Sequence, residues 1–483
     1  MPSVGRLPGS VLPMAGGLLM VGIGGFGYLV VAGHTTSASS AAALSALYLI
    51  GNVCGPGLFA GLEQETSRVV SGGLAAGVDV RPGLRRAIAV GAALTGIALL
   101  VLLALGPLLV ARSFAGHAGL LLWLLLGVVG SAQAFLVRGI LGGTRKFEAY
   151  GVTLAVEGVA RLLPCVAFAA LGVTNVDVYG LVFVGASGCA AAAAYPWLRP
   201  GALSLAGVDA DADVAVPVEA GASDVGVEAE PVATGTAATV AAGQTLRSIA
   251  RGVGLLGAAT LLAQLVANLA PLVVTGRMLG SHAGEAAAVG FGFAFVLTRG
   301  PLLLFGPVQA LLLPQVTTAV VRGELDLVRR QVRVGLGAVT AVGSAGAVVA
   351  AIAGPWAVRT LFGADRPPSA LVMGLLGAST GLLLVVQVLQ PVLVALGRHR
   401  TVSVAWIVGT AVLAGLLVLP GPAINAAVIA QLTAAATVAL VALSGVVDVL
   451  RAAPAASDRA PSPASLLLTE CVPTATERAL EPR

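Results

Sequence analysis

The sequence predicts an all-α polytopic membrane protein of about twelve transmembrane helices in two parallel six-helix bundles. Three observations predict it. The 483 residues are 57% hydrophobic and 10% charged, with a mean hydropathy of +0.97, a balance that no soluble domain carries. Apolar runs of about 20 residues recur along the chain, each long enough to cross a bilayer as a helix. Arginine and lysine fall mostly on every second connecting segment, as the positive-inside rule requires. The runs are continuous rather than alternating, which excludes a β-barrel.

In the first half, spans are expected at about 10–32, 40–60, 87–111, 118–137, 150–172 and 178–198. Arg6 ahead of the first run resembles the start of a signal peptide. The run is too long for that, and no small-x-small cleavage site follows, so it is read as the first span. In the second half, spans are expected at about 252–276, 285–313, 334–354, 369–392, 401–420 and 423–448. With a cytoplasmic N-terminus, the inner segments carry Arg68, Arg81, Arg85, Arg86, Arg138, Arg145, Lys146, Arg247, Arg251, Arg322, Arg329 and Arg330, among others. The outer loops keep only Arg112, Arg277, Arg359 and Arg366. An even span number puts the C-terminus in the cytoplasm as well. The net charge of +5 is therefore a topology signal of a cell-membrane protein and not a nucleic-acid footprint.

Domain limits follow. Residues 1–9 form a cytoplasmic N-terminus, 10–198 the first bundle, 199–250 a linker, 251–448 the second bundle and 449–483 a cytoplasmic tail. From Gly201 to Gly243 the linker has no Lys or Arg and carries Asp209, Asp211, Asp213, Glu219, Asp224, Glu228 and Glu230. Such composition is that of a flexible, disordered acidic segment, and the proline-bearing tail reads likewise. The halves also resemble each other. Leu62-x-Gln64-x-Thr66-x-x-Val69-Val70 recurs as Leu313-x-Gln315-x-Thr317-x-x-Val320-Val321. Gly106-Pro107 with Val110, Arg112 and Phe114 recurs as Gly354-Pro355 with Val358, Arg359 and Phe362. Gln133 and Gly143 recur as Gln387 and Gly397. Three matches in one order point to a duplication. Six spans per repeat give both repeats the same orientation, with a substrate site between them near mid-membrane.

Three charges fall inside apolar runs: Glu157, Arg161 and Arg299. A charge near the bilayer centre costs at least a few kcal/mol, so such residues usually face an internal cavity. Glu157 and Arg161 lie four apart on one helix face, where a structural salt bridge is the alternative reading. Arg299 has no acidic partner in the apolar runs. Arg299-Gly300-Pro301 reads either as a hinge beside the charge or as an ordinary proline kink. Gln264 and Asn268, also four apart, are candidate cavity amides, with bonding between helices as the alternative. Gly22-x-Gly24-x-x-Gly27 formally matches a dinucleotide fingerprint, but no strand precedes it, and close helix packing explains it better. The four cysteines and four histidines show no metal or disulfide spacing, and the cysteines read as buried inert thiols. There is no Walker loop. No metal, cofactor or enzymatic chemistry is expected. The amphipathic stretch 324–333 leads into span nine and is expected to lie at the inner membrane surface, as a positive-inside anchor rather than a binding element.

The chain resembles the multidrug/oligosaccharidyl-lipid/polysaccharide exporter superfamily, and within it the Wzx-type polysaccharide flippases. The residues that carry the resemblance are Gly61-Leu62-Glu63-Gln64-Glu65-Thr66-Ser67-Arg68, the segment from Arg138 to Gly151, and Arg299-Gly300-Pro301 through Leu313-Pro314-Gln315. It extends over about residues 10–448; the acidic linker and tail depart from it. The resemblance implies a V-shaped, MATE-like pair of bundles. It implies a flippase that moves undecaprenyl-pyrophosphate-linked oligosaccharide across the cytoplasmic membrane by alternating access, beside polysaccharide-assembly partners. Arg161 and Arg299 would then meet the pyrophosphate, and Glu157 is a candidate for a coupling proton. A neutral mechanism, and one coupled to sodium, stay open. The alternative is a MATE-like drug or metabolite antiporter driven by sodium or protons. Exporters of organic cations need acidic cavity residues, whereas two arginines against one glutamate favour an anionic substrate.

Overall fold

The computed structural model describes residues 11–198, 245–278, 280–302, 305, 316, 319–320 and 324–452. The N-terminus, nearly all of the acidic linker and the tail lie outside the described residues. So do Gly306, Pro307, Gln309 and Leu313-Pro314-Gln315, and with them most of the second copy of the Gln-x-Thr repeat.

Twelve α-helices are bounded within the described residues. The first half comprises α1 (Val11–Thr35), α2 (Ala38–Ala75), α3 (Arg81–Arg112), α4 (Ala118–Gly143), α5 (Phe147–Ala170) and α6 (Val176–Ala193). The second comprises α7 (Leu246–Met278), α8 (His282–Thr298), α9 (Leu325–Phe362), α10 (Ala370–Ala395), α11 (His399–Val418) and α12 (Ala423–Ala452). Eleven are long and apolar enough to cross a membrane. The twelfth, α8, has 17 residues and stops at Thr298, with Arg299 as its C-cap. Pro301 has no amide to give the carbonyl of Leu297. The Arg299 amide bonds instead to Val296 O at 3.0 Å, and residues 300–302 are helical again. The Arg299-Gly300-Pro301 segment is thus a helix break.

Several limits shift from expectation. The second span is extended well past residue 60, so the Gln64-x-Thr66 repeat lies inside α2. Helix α7 begins at Leu246, inside the expected linker. The stretch 324–333 runs without a break into the ninth span, as the start of the 38-residue α9. No proline or glycine falls between 324 and 334, and Arg329 secures this start by an ion pair to Asp326 at 2.6 Å and a bond to the Leu450 carbonyl at the end of α12. Cys54 and Cys165 are buried, whereas Cys189 is exposed.

Small residues set the packing. In lipid, helices gain little from hydrophobic burial against each other, so close approach of backbones becomes the main attraction. Gly17 and Gly24 of α1 meet Gly151 and Gly158 of α5. The same seven-residue spacing keeps each pair on one face of a parallel helix pair. A Cβ on Gly158 would strike the Met20 carbonyl oxygen. The glycines of the first span thus serve helix packing. In the second half, Gly343 of α9 abuts Gly381 of α10, and Gly377 abuts Ala347. The halves are joined chiefly by α2 against α7. Gly61 faces Gly257, Gly57 faces Leu261, and the Thr260 hydroxyl donates to the Gly57 carbonyl at 2.8 Å. At the end assigned to the outside, Gly33 touches the Phe362 carbonyl and Gly290 the Arg366 carbonyl. One apolar cluster, including Tyr28, Phe59, Tyr179, Phe291, Phe293 and Phe362, runs through both halves.

Candidate functional site

Helix α5 places the first charges. Gly158 must face α1, which fixes the rotation of α5. Glu157 and Arg161 then point together into the first bundle, between α4 and α6. They are 8% and 6% exposed, and Arg138 of α4 is 4% exposed. The Glu157 carboxylate receives Arg161 Nη2 on Oε1 at 2.8 Å and Arg138 Nη2 on Oε2 at 2.5 Å. Ser187 of α6 donates to Oε1 at 3.2 Å. Both oxygens are therefore engaged, and the expected pair is a triad. Arg138 Nε also donates to the Thr153 hydroxyl at 3.3 Å. The Arg161 guanidinium lies 4.6 Å from the Phe183 ring centroid, a favourable cation–π placement. Its Nε has no hydrogen-bond partner among the described residues.

These groups line a cavity of about 230 Å³ inside the first bundle, with Asn52, Ser131, Glu63 and Tyr150 also on its wall. The Tyr150 hydroxyl donates to Glu63 Oε1 at 2.6 Å. The volume is below the roughly 300–1,000 Å³ of small-molecule pockets. As it stands, the cavity suits water or a small ion, not a sugar chain.

Arg299 lies apart from that cavity, in the second bundle. Its Nη1 donates to the Thr380 hydroxyl of α10 at 3.2 Å, and its guanidinium sits 4.6 Å from the Phe295 ring centroid. Its Nε and Nη2 are buried with no hydrogen-bond partner among the described residues. A cation at the C-terminal end of α8 is favoured by the helix dipole. Gln264 and Asn268 pair with each other on α7, Asn268 Nδ2 donating to Gln264 Oε1 at 2.8 Å. Gln264 packs beside Gly57, at the seam between the halves.

The structure thus brings Glu157 and Arg161 together and leaves Arg299, Gln264 and Asn268 outside their cavity. Sequence reasoning missed Arg138, Glu63 and Tyr150. Arg138 reads as one more positive-inside arginine because it follows the apolar run. Only the length of α4, which continues to Gly143, draws it into the bundle.

No family model matches the chain. It is 27% identical over 365 residues to uncharacterized proteins of Mycobacterium bovis and Mycobacterium tuberculosis, covering 74% of each chain. A second uncharacterized Mycobacterium tuberculosis protein is 28% identical over 380 residues, covering 77% of this chain and 76% of the relative. Solved structures match over nearly the whole length. An inward-facing multidrug resistance MATE transporter of the MOP superfamily aligns with a TM-score of 0.62 at 14% identity, over 90% of this chain and 96% of its own. A MOP superfamily transporter from Pyrococcus furiosus aligns at 0.59 and 14%, over 92% and 96%. A mutant MATE transporter of Vibrio cholerae aligns at 0.55 and 15%, over 92% and 96%. The chain is a multi-pass membrane protein with the two-bundle fold of the MATE and other MOP superfamily transporters.

Proposed function

We propose that the protein is a flippase that carries lipid-linked oligosaccharide, of the undecaprenyl-pyrophosphate type, across the cytoplasmic membrane for surface polysaccharide assembly. The observation that carries this reading is Arg299. Burying donors without partners costs about 1–3 kcal/mol or more for a charged group. Such a cost is sustained where a ligand supplies the acceptors. The guanidinium fork matches phosphate oxygens in geometry and charge. Arg161 is already paired with Glu157 at 2.8 Å, so in this reading it belongs to the closed cluster and Arg299 is the head-group contact. The sugar would cross between the halves by alternating access while the lipid chain stays in apolar surroundings. The transporter from Pyrococcus furiosus is described by a binding pocket of reversed polarity that suggests a different function. A cationic centre on this fold supports the same inference for this chain.

Glu157, with both oxygens held, is a poor carrier for a coupling proton. Glu63 favours the second reading, a drug or metabolite antiporter driven by protons or sodium. Its carboxylate lines the cavity, accepts from Tyr150 and pairs with no cation among the described residues. The test replaces Arg299, and separately Arg161, by Ala and measures lipid-linked sugar intermediates in the inner leaflet. Accumulation in the Arg299 variant supports the flippase. Normal surface polysaccharide in both, with the protein inserted, contradicts it, and altered drug sensitivity alone supports the antiporter.

A further inference from the structure

A cavity of about 440 Å³ lies at the inner end of the second bundle, between the start of α9, Val388 of α10 and Phe305. Unlike the pocket in the first bundle, it falls within the roughly 300–1,000 Å³ of small-molecule pockets. Leu327, Arg330, Val334 and Val339 belong to its α9 wall. Leu327 and Val334 are 40% and 65% exposed, so the cavity opens on the outside of the bundle. From Val334 the exposed apolar line continues along α9 through Val342, Val349 and Trp356. Steps of seven or eight residues are two helical turns, so these side chains share one face. A face that stays apolar and exposed over that depth meets lipid rather than an aqueous passage. Among the described residues, Arg330 is the charged group on the cavity wall. It is exposed and has no ion pair among the described residues, whereas its neighbour Arg329 is taken by Asp326 and the Leu450 carbonyl. From Arg330 to Val339 the helix rises roughly 14 Å. The cavity therefore runs from a cation at head-group depth to valines at acyl-chain depth.

We propose that this cavity seats an acidic glycerophospholipid of the inner leaflet, with its phosphate on Arg330 and the upper part of one acyl chain against Val334, Val339 and Val388. The lipid is a resident companion of the fold and not the cargo, so the proposal stands apart from the flippase reading. Charge complementarity selects the occupant. Basic pockets between spanning helices on the cytoplasmic side are where acidic head groups bind, and the guanidinium fork suits phosphate oxygens. A zwitterionic lipid brings a cation of its own beside Arg330. A free phosphate leaves the apolar wall uncovered. The start of α9 then divides its arginines: Arg329 ties the helix to α12, and Arg330 ties it to the membrane. A lipid held between α9 and α10 also stabilises the native state, because it has no site on the unfolded chain.

The test uses the full-length protein in detergent, with lipid retention read by native mass spectrometry and stability by thermal unfolding. The probes are phosphatidylglycerol, phosphatidylcholine, an isoprenoid phosphate and inorganic phosphate. One phosphatidylglycerol should be retained several-fold more than phosphatidylcholine and should raise the unfolding temperature. Inorganic phosphate at equal concentration should do neither. Arg330→Ala, at an exposed position, should lower that retention several-fold and abolish the rise, and Arg330→Lys should keep part of both. Arg333→Ala removes an exposed charge three residues on that does not line the cavity, and retention should stay at the wild-type level. Ala338→Trp, on the cavity wall, should exclude the lipid with Arg330 still present. Equal losses in Arg330→Ala and Arg333→Ala would show a diffuse basic surface and overturn the proposal. So would equal retention of phosphatidylcholine. Preferential retention of the isoprenoid phosphate, lost in Arg330→Ala, would give the cavity to the cargo and overturn it as well.

Discussion

The two bundles handle buried arginine in opposite ways. In the first, Arg138 and Arg161 share one carboxylate, Glu157, and a serine completes the set. In the second, Arg299 has one hydroxyl, one aromatic ring and two nitrogens without hydrogen-bond partners among the described residues. The first arrangement is closed upon itself: removing any member harms the others. The second is open, and the natural completion is a ligand. One half thus holds a closed charge cluster and the other an arginine with unmet donors among the described residues. On the proposed function, the first holds the protein together and the second meets cargo.

The sharpest way to break this comparison is at Glu157. Glu157→Ala leaves two buried arginines facing each other, and the expected loss is about 3–5 kcal/mol of stability. Thermal unfolding in detergent would measure it. Adding Arg138→Met and Arg161→Met should restore most of it, because a buried triad exchanged whole for apolar side chains is often neutral or stabilising. A harmless Glu157→Ala would mean that the cluster is not the structural unit described. Arg299→Ala should behave oppositely. Its thermal stability should hold or rise, while affinity for an isoprenoid phosphate falls by roughly 10–100-fold, the equivalent of about 1.5–3 kcal/mol for hydrogen bonds to a charge.

A third substitution probes how the first cluster is positioned. Gly158→Leu forces α5 off α1, where the Met20 carbonyl already fills the space. Overpacking of this kind costs about 1–3 kcal/mol, and it should turn Glu157 away from Arg138. Gly185→Ala on α6, where a Cβ meets nothing within 4 Å, is the control that should leave stability within about 0.5 kcal/mol. The smallest expected effect is at Thr380→Val. It removes the one side-chain acceptor of Arg299 seen among the described residues and should cost about 0.5–1.5 kcal/mol. Lipid binding should be weakened less than by Arg299→Ala, because the cation stays in place.

Much of this architecture is legible in the sequence. Spans and bundles follow from hydropathy, since lipid forces the backbone into helices and makes each run conspicuous. The Glu157–Arg161 contact is legible because i, i+4 neighbours meet on any helix. The break at Arg299 is legible because Pro301 cannot donate. What was hidden depends on tertiary pairing. Arg138 and Glu157 are 19 residues apart on different helices, and nothing local distinguishes Arg138 from an interfacial arginine. Thr380 lies 81 residues from Arg299 and looks like any hydroxyl in an apolar run. Gln264 and Asn268 read as cavity amides or as bonds between helices, whereas they bond each other within α7, and their setting at the α2–α7 seam comes from the Gly57 contact.

The central claim is that Arg299 is the receptive charge and the Glu157 triad is not. Reconstituted vesicles with a fluorescent isoprenoid-pyrophosphate sugar test it directly, comparing transbilayer transfer by the wild type, Arg299→Ala and Arg299→Lys. The account predicts that Arg299→Ala is slower by about 10-fold or more, with Arg299→Lys recovering part of the rate because charge returns without the planar fork. Transfer at the wild-type rate by correctly inserted Arg299→Ala would contradict it.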